Sequence, residues 1–262
     1  MSVRFLAGAA SSAAILGSCA FAQQASLAPP LSRVAFAERP VVVETFLSQA
    51  CVQSPTAAEV SRDLSQRPGI VALTWHVDYW DALPAPGVGA WKDPFAAPDF
   101  GLRQMAYNRR LRGGALKMTP QTVIDGVISV AGSQREAVEK RIVEARFLDE
   151  MARPRPPALK IVDAGDGMLR TRIKNVGTPY DAYVVSFRRQ AVTKVSAGDN
   201  AGLTFRETNV VRAIEPLAAD HSGPGNFTFA APANGLGCAV IVQERELGRI
   251  VAARYCDSRD SE

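Results

Sequence analysis

Cys51 is the residue in this sequence best placed for nucleophilic chemistry. It follows a β-branched apolar run at residues 41–46, which is typical of a buried strand, and it precedes residues that can open a helix. The unpaired N–H groups and the dipole of a helix N-terminus stabilise a thiolate. The position where a redox protein would carry its second cysteine holds Ser54. The sequence therefore offers a single thiol at a position suited to thiol chemistry.

The N-terminus predicts export to the periplasm or secretion. Residues 1–4 form a short positive region, residues 5–17 form a short apolar region, and Ala20-Phe21-Ala22 supplies a cleavage site. We therefore expect residues 1–22 to be a signal peptide. The apolar run is too short to cross a bilayer, so no transmembrane segment is expected. In the alternative, Cys19 ends a bacterial lipoprotein-like signal and anchors the chain through a lipid.

Three cysteines remain once Cys19 is cleaved off or lipidated, and in an oxidising compartment an odd count predicts one bridge and one free thiol. Residues 237–245 and 249–256 are typical of two strands joined by a three-residue hairpin loop. That register sets Cys238 opposite Cys256, with Cα atoms about 4.5–5.5 Å apart, within disulfide range. We predict the bridge Cys238–Cys256, which leaves Cys51 free; a slipped register or a bridge to Cys51 is the alternative.

The elements that must position Cys51 alternate between strands and helices. A capping box at residues 133–136 opens a long helix with an apolar stripe. The arginines near residue 110, Arg103 among them, are expected to be solvated. In order, the predicted elements are a strand at 41–46, a helix at 54–66, a strand at 70–75, a helix at 99–111, strands at 119–126 and 127–132, and the long helix.

Two further groups of polar residues fall near the expected site. His76 and Asp78 lie just past the second strand, and adjacent parallel strands would bring them to the same sheet edge as Cys51. His76 could then hydrogen-bond or deprotonate Cys51, or it could simply fix the loop that follows. Glu44 lies within an apolar strand, where it could accept a proton or pair with a buried arginine. His76, Asp78 and Cys51 could together bind a metal, but their spacing is not diagnostic of a metal site, so we expect neither metal nor cofactor.

The element order βαβαββα resembles the minimal thioredoxin-type core, an α/β fold with a mixed sheet. In that core the active cysteine follows the first strand and a proline opens the third; Cys51 and Thr119-Pro120 hold those places here. We expect the bond before Pro120 to be cis. The chain further resembles an exported bacterial thioredoxin-like family, the domain of unknown function twelve-twenty-three. The matching motifs are Glu44-Thr-Phe-Leu-Ser-Gln49-Ala-Cys51, Ser54-Pro55, His76-Val-Asp-Tyr-Trp80, Trp91-Lys-Asp-Pro-Phe95 and Thr119-Pro-Gln-Thr-Val-Ile-Asp-Gly126.

The chain departs from that family pattern in two places. The family commonly shows Cys-x-x-Cys-Pro, whereas this chain has Cys51-Val-Gln-Ser54-Pro55, and residues 83–89 lengthen the segment between two tryptophans. Ser54 cannot resolve a mixed disulfide, so the expected activity is at most monothiol exchange or isomerisation on protein or small-molecule disulfides. The alternative is a non-catalytic binding or folding-assistance module. The expected catalytic set is Cys51, Ser54, His76 and Pro120, supported by Glu44, Asp78 and Thr119.

The C-terminal part is expected to form a separate domain. A proline-rich linker at residues 153–158 separates a thioredoxin-like domain, residues 38–152, from seven short strand-like runs within residues 159–257. Such runs suggest a small all-β, sandwich-like domain that supports the first or binds a partner.

The composition is that of an ordinary globular protein. The net charge is +4 and no Lys/Arg block or nucleic-acid motif occurs, so the charge is interpreted as a solvated surface rather than a nucleic-acid site. Aromatic residues concentrate between Trp75 and Phe100. They are expected to pack that segment onto the core, with an aromatic substrate groove as the alternative.

Overall fold

The structure is a computed structural model that describes Met1 and residues 39–82, 91–151, 157–233 and 235–257. The predicted signal peptide, Cys19, the extra segment 83–89 and linker residues 153–156 lie outside the described residues. Residues 36–262 belong to one compact unit.

The first part of that unit alternates strands and helices. The first two strands are buried along their whole length, as expected of central strands that are covered on both faces. Pro55 occupies the first turn of one helix, where its missing N–H costs nothing, and Gly113 ends another in the left-handed region. The elements are β1 (Val41–Leu47), α1 (Ser54–Ser65), β2 (Ile70–His76), α2 (Pro98–Arg112), β3 (Gln121–Ile124), β4 (Ile128–Ala131) and α3 (Arg135–Met151).

The second part contains strands only, and each of the seven predicted runs lies in one of them. Two of the strands are long, with 15 and 18 residues. The elements are β5 (Ala158–Gly165), β6 (Met168–Lys174), β7 (Tyr180–Lys194), β8 (Thr204–His221), β9 (Gly225–Ala230), β10 (Leu236–Glu244) and β11 (Ile250–Tyr255).

Strands from both parts share one mixed eight-stranded sheet in the order β11-β10-β7-β8-β2-β1-β3-β4. β1 and β2 are parallel, β3 is antiparallel to β1, and β8 joins β2 in parallel through the pair Thr74 and Val210. This differs from the expected division at residues 153–158. The long strand β8 supplies a hydrogen-bonded neighbour to β2, so four C-terminal strands extend the N-terminal sheet instead of forming a domain of their own.

Side chains alternate between the two faces of this sheet, and helices pack on both faces of its N-terminal strands. Val41 and Val43 of β1 pack with α1 and α3, whereas Val42 and Phe46 pack with α2 and with strands of the C-terminal part. Two hydrophobic layers therefore enclose the sheet.

The remaining strands form an antiparallel sheet in the order β5-β6-β9. Leu159 and Ile173 of this small sheet pack against Tyr180, Val240 and residues near them on the large sheet. The C-terminal part therefore contains two packed sheets, and one of them is continuous with the N-terminal strands.

The predicted disulfide joins Cys238 and Cys256, with Cα atoms 5.3 Å apart. The register is confirmed, but the predicted loop is wrong in detail. Glu244 pairs with Arg249, which lengthens the loop by one residue, and Glu246 and Leu247 both have positive φ. A bulge after Val242 shifts the register back by one residue. The two differences cancel before the chain reaches the cysteines.

Candidate functional site

Cys51 lies in the turn between β1 and α1, as predicted. Its backbone N–H donates to Ser48 O (3.0 Å), and its carbonyl accepts from Ser54 N (3.0 Å), so the turn leads directly into the helix. Cys51 is a free cysteine and only 3% exposed, whereas the next residue, Val52, is 64% exposed. The tip of the loop is thus at the surface while the thiol lies just beneath it.

The Cys51 sulfur contacts the segment that opens β3. Its Sγ is 3.5 Å from the carbonyl oxygen of Thr119, and the Thr119-Pro120 bond is cis, as predicted. Trp80 Nε1 donates a hydrogen bond to Thr119 Oγ1 (2.7 Å), which fixes the Thr119 side chain. The structure thus brings Cys51, Thr119 and Pro120 together.

Ser54 closes the loop around the thiol. It is fully buried, and its Oγ accepts a hydrogen bond from the backbone N–H of Ser48 (3.3 Å). The Ser48 hydroxyl in turn accepts from Ala50 N (3.1 Å). Ser54 therefore acts as a structural acceptor in the turn.

His76 is engaged by two carboxylates, and neither ring nitrogen is directed at Cys51. Nδ1 lies 2.7 Å from Asp93 Oδ2 and Nε2 lies 3.2 Å from Glu207 Oε1, although the second contact is not aligned as a hydrogen bond. Burial lowers the pKa of His76, but Glu207 and Asp93 outweigh it and raise that pKa to about 10. The imidazole is therefore a cation at neutral pH and holds its protons, so the expected role as a base for Cys51 does not fit this geometry.

Asp93 is held by three donors, one of which is the ring of His76. Burial favours its neutral form, but His76 and the N–H groups of Gln49 and Phe95 hold the pKa of Asp93 below its usual range. Those N–H groups lie 2.8 and 3.0 Å from its carboxylate oxygens. The ionised carboxylate thus ties β2, the Cys51 loop and the segment at residues 91–95 together.

Gln49 and Asn200 connect this charged cluster to the backbone of the Cys51 loop. The Gln49 amide donates to Glu207 Oε2 (2.8 Å) and accepts from Trp91 Nε1 (3.2 Å). The Asn200 amide donates to the carbonyls of Gln49 (2.8 Å) and Cys51 (2.9 Å). Glu207 lies on β8 and Asn200 in the β7–β8 connection, so the C-terminal part completes the support of the Cys51 loop.

Sequence reasoning singled out neither Glu207 nor Asn200. Glu207 left no signal like that of Glu44, because its strand also carries Arg206, Thr208 and Asn209 beside it. Asp93 lies inside the motif of residues 91–95, but nothing in that motif identifies it as the hydrogen-bond partner of His76. Asn200 falls in a polar turn with nothing to distinguish it from its neighbours.

Glu44 pairs with a buried arginine. Arg103 Nε and Nη2 lie 2.8 and 3.2 Å from its carboxylate oxygens, and the Tyr107 hydroxyl donates to Oε2 (2.5 Å). Gln243 of β10 accepts from Arg103 (3.1 Å) and donates to the Tyr107 oxygen (2.9 Å). All these groups are satisfied, so this cluster is structural. The expectation that Arg103 is solvated is wrong, because it lies on the buried stripe of α2 with Phe100 and Tyr107.

Asp78 and the aromatic residues lie around the same loop. Asp78 is partly buried against α2, where a Cβ on Gly101 would lie 2.8 Å from its Oδ1. Burial raises the pKa of Tyr79, and the nearby Cys51 adds to that rise. The Tyr79 hydroxyl donates to Gln104 Oε1 (3.1 Å). The more deeply buried aromatic side chains pack in the core, where the stacked rings of Trp75 and Phe46 have centroids 5.9 Å apart.

The described residues form neither a metal cluster nor a membrane-spanning helix. Within residues 39–82, 91–151, 157–233 and 235–257, no group of three or more His, Cys, Asp or Glu side chains is arranged to hold a metal ion. In the same part of the chain, no helix is long and apolar enough to span a bilayer.

The fold and the site together define an α/β protein with a mixed sheet in which one of the three described cysteines is a free thiol beside a cis-proline. The chain belongs to the family described as "Protein of unknown function (DUF1223)", whose sequence model matches residues 42–243. It is also similar to a crystal structure of a protein from Agrobacterium tumefaciens, with a TM-score of 0.69 and 24% identity over 86% of this chain and 97% of that one. This likeness shows the fold alone. A search of curated proteins found no significant match.

Proposed function

We propose that the N-terminal part is a thioredoxin-like scaffold in an exported protein and that Cys51 is the nucleophile of monothiol disulfide isomerisation. The observation that carries the proposal is the position of the Cys51 sulfur, between the start of α1 and the carbonyl of Thr119 beside cis-Pro120. A thiolate there faces the positive end of a helix. The disulfide Cys238–Cys256 occupies the other two described cysteines, which leaves Cys51 free to react.

The reaction balances without any external oxidant or reductant. The Cys51 thiolate attacks one sulfur of a substrate disulfide, so that a Cys51–substrate bond forms and the substrate bond breaks. The released substrate thiolate then takes up a proton. Another substrate thiolate attacks the mixed disulfide, a new substrate bridge forms, and Cys51 leaves as a thiolate. Ser54 has no part in resolution, in keeping with its hydrogen bond to Ser48.

The test is the refolding of a protein whose disulfides have been scrambled, in a thiol buffer. We expect the wild-type chain to accelerate recovery of the native bridges, Cys51→Ala to abolish the acceleration, and Ser54→Ala to retain most of it. Intact-mass analysis after acid quenching should show a mixed disulfide at Cys51. Equal rates for wild type and Cys51→Ala would refute the proposal.

One observation favours the second candidate, a non-catalytic binding or folding-assistance module. The Cys51 side chain is 3% exposed and its sulfur is already engaged by Thr119. Such a module would suppress the aggregation of an unfolded client equally well in wild type and Cys51→Ala. That result, together with no isomerase activity in either protein, would favour the second candidate over the first.

A further inference from the structure

The outer face of the small sheet, formed by β5, β6 and β9, carries an unbalanced set of cations. Side chains alternate along each strand, and Leu159 and Ile173 point inward to the core. Their neighbours along the strands therefore point outward, and Lys160, Arg172, Lys174, Asn226 and Thr228 are exposed accordingly. Arg170, nearer the turn between β5 and β6, is partly buried. Ten side chains make up this outer face, which we call the basic face. Six of them are polar: Lys160, Arg170, Arg172, Lys174, Asn226 and Thr228.

The strand register places the four cations side by side. Lys160 of β5 is directly opposite Arg172 of β6, and Arg170 and Lys174 are two residues to either side of Arg172 on the same strand. Adjacent strands lie about 4.8 Å apart and alternate residues are about 7 Å apart, so the cations share a patch about 14 Å long. Like charges directly opposite one another destabilise a sheet. This arrangement costs stability in the isolated protein.

Nothing on the basic face neutralises those charges. The other four outward side chains are apolar (Ala158, Val162, Met168 and Ala230), so none of the ten is a carboxylate. None of the four cations forms an ion pair with another described residue; Arg170 donates a long hydrogen bond (3.5 Å) to Thr228 Oγ1. The basic face therefore carries four positive charges and no negative charge, in a chain whose formal net charge is +4.

We infer that the basic face binds the surface of an anionic phospholipid bilayer. Phosphate headgroups accept charge-assisted hydrogen bonds from Arg and Lys, and a bilayer presents many of them to a broad sheet face. Single-stranded nucleic acid is disfavoured because none of the ten outward side chains is aromatic, so none can stack on a base. Asn226 and Thr228 flank Arg172 and Arg170 and add neutral donors to the same patch. The inference does not depend on the chemistry of Cys51.

The experiment measures binding of the full chain to vesicles of phosphatidylcholine alone and of phosphatidylcholine with phosphatidylglycerol. The test variant combines Lys160→Gln with Arg172→Gln, which also relieves their mutual repulsion and so should fold. The matched control combines Arg109→Gln with Lys140→Gln, which removes the same charge from exposed positions on α2 and α3. Wild type and both variants have the same N-terminal residues. Binding to phosphatidylcholine vesicles alone therefore measures any membrane binding through those residues.

Each cation held near an anionic surface strengthens binding about fivefold, so the test variant should bind anionic vesicles about 25-fold more weakly than wild type. The control variant should stay close to wild type, and added salt should weaken wild-type binding. The inference is overturned if the test and control variants bind alike, or if wild type binds both vesicle types equally. It is also overturned if a single-stranded oligonucleotide competes with the vesicles and binds more tightly than they do.

Discussion

The charged cluster around His76 predicts how the stability of the protein changes with pH. The pKa of His76 is about 10 in the folded protein, against an ordinary value of 6.5, because Glu207 and Asp93 outweigh the effect of burial. Between those two values the folded protein holds a proton that the unfolded chain has released. Stability from this group is therefore fully present below pH 6.5 and is lost as the pH rises towards 10.

The magnitude follows from the proton count. One extra proton in the folded state makes the free energy of unfolding fall by about 1.4 kcal/mol for each pH unit. We therefore expect a loss of about 2 kcal/mol between pH 7.5 and pH 9. The range from pH 7.5 to pH 9 lies between the His76 pKa of 6.5 in the unfolded chain and that of about 10 in the folded protein, and this is all that the slope requires.

Urea denaturation followed by circular dichroism at several pH values measures this slope. A Cys51→Ala background removes the free thiol, so its oxidation cannot affect the measurement. His76→Gln should be less stable at pH 7.5 and should lose the slope. His221→Asn is the matched control, because His221 is the only other histidine in the chain and it lies outside the cluster. A flat wild-type profile, or a slope that disappears in His221→Asn, would refute the reasoning.

Three further predictions concern buried pairs and cysteines. Glu44→Gln should lower the free energy of unfolding by about 3–5 kcal/mol, because Arg103 is left as an uncompensated buried charge. The exposed control Arg109→Gln should change the free energy of unfolding by less than about 0.5 kcal/mol. Urea denaturation of both variants measures the difference. Replacing both Cys238 and Cys256 by Ser should cost about 3 kcal/mol, from the chain entropy of a bridge with a sequence separation of 18; an unchanged denaturation midpoint would contradict this. Ser54→Cys should form a bridge to Cys51, visible by non-reducing mass spectrometry, because the turn holds the two Cα atoms within about 7 Å; two free thiols under mild oxidation would contradict it.

The features that sequence reasoning predicted are those set by local pattern. The turn at Cys51 and the pairing of Cys238 with Cys256 follow from residues within about 20 positions of one another or from alternation along strands. The cis bond before Pro120 was expected instead from the resemblance to a thioredoxin-type core. The rule that charged residues are exposed failed for Arg103. Its charge predicted a solvated side chain, but it lies on the buried stripe of α2. A buried partner such as Glu44 overrides the usual preference of arginine for the surface.

The contacts that sequence reasoning missed are those between residues far apart in the chain. Glu207 reaches Gln49 across 158 positions and Asn200 reaches Cys51 across 149. No periodicity or motif spacing encodes such a pairing. It depends on β8 joining β2, and the expected boundary at residues 153–158 had separated those two strands.

The support of the Cys51 loop explains why the two parts of the chain form one unit. A chain that ended at the linker would lack Glu207 and Asn200, so His76 would keep only Asp93. The carbonyls of Gln49 and Cys51 would both lose the Asn200 amide, and that of Cys51 would keep Ser54 N. Such a chain would also leave the edge of β2 without its neighbour, exposing unpaired backbone groups that favour aggregation. A buried cation between two carboxylates is costly to assemble and still costlier to leave half-formed. The cluster therefore makes the geometry around Cys51 conditional on the C-terminal strands being folded in place.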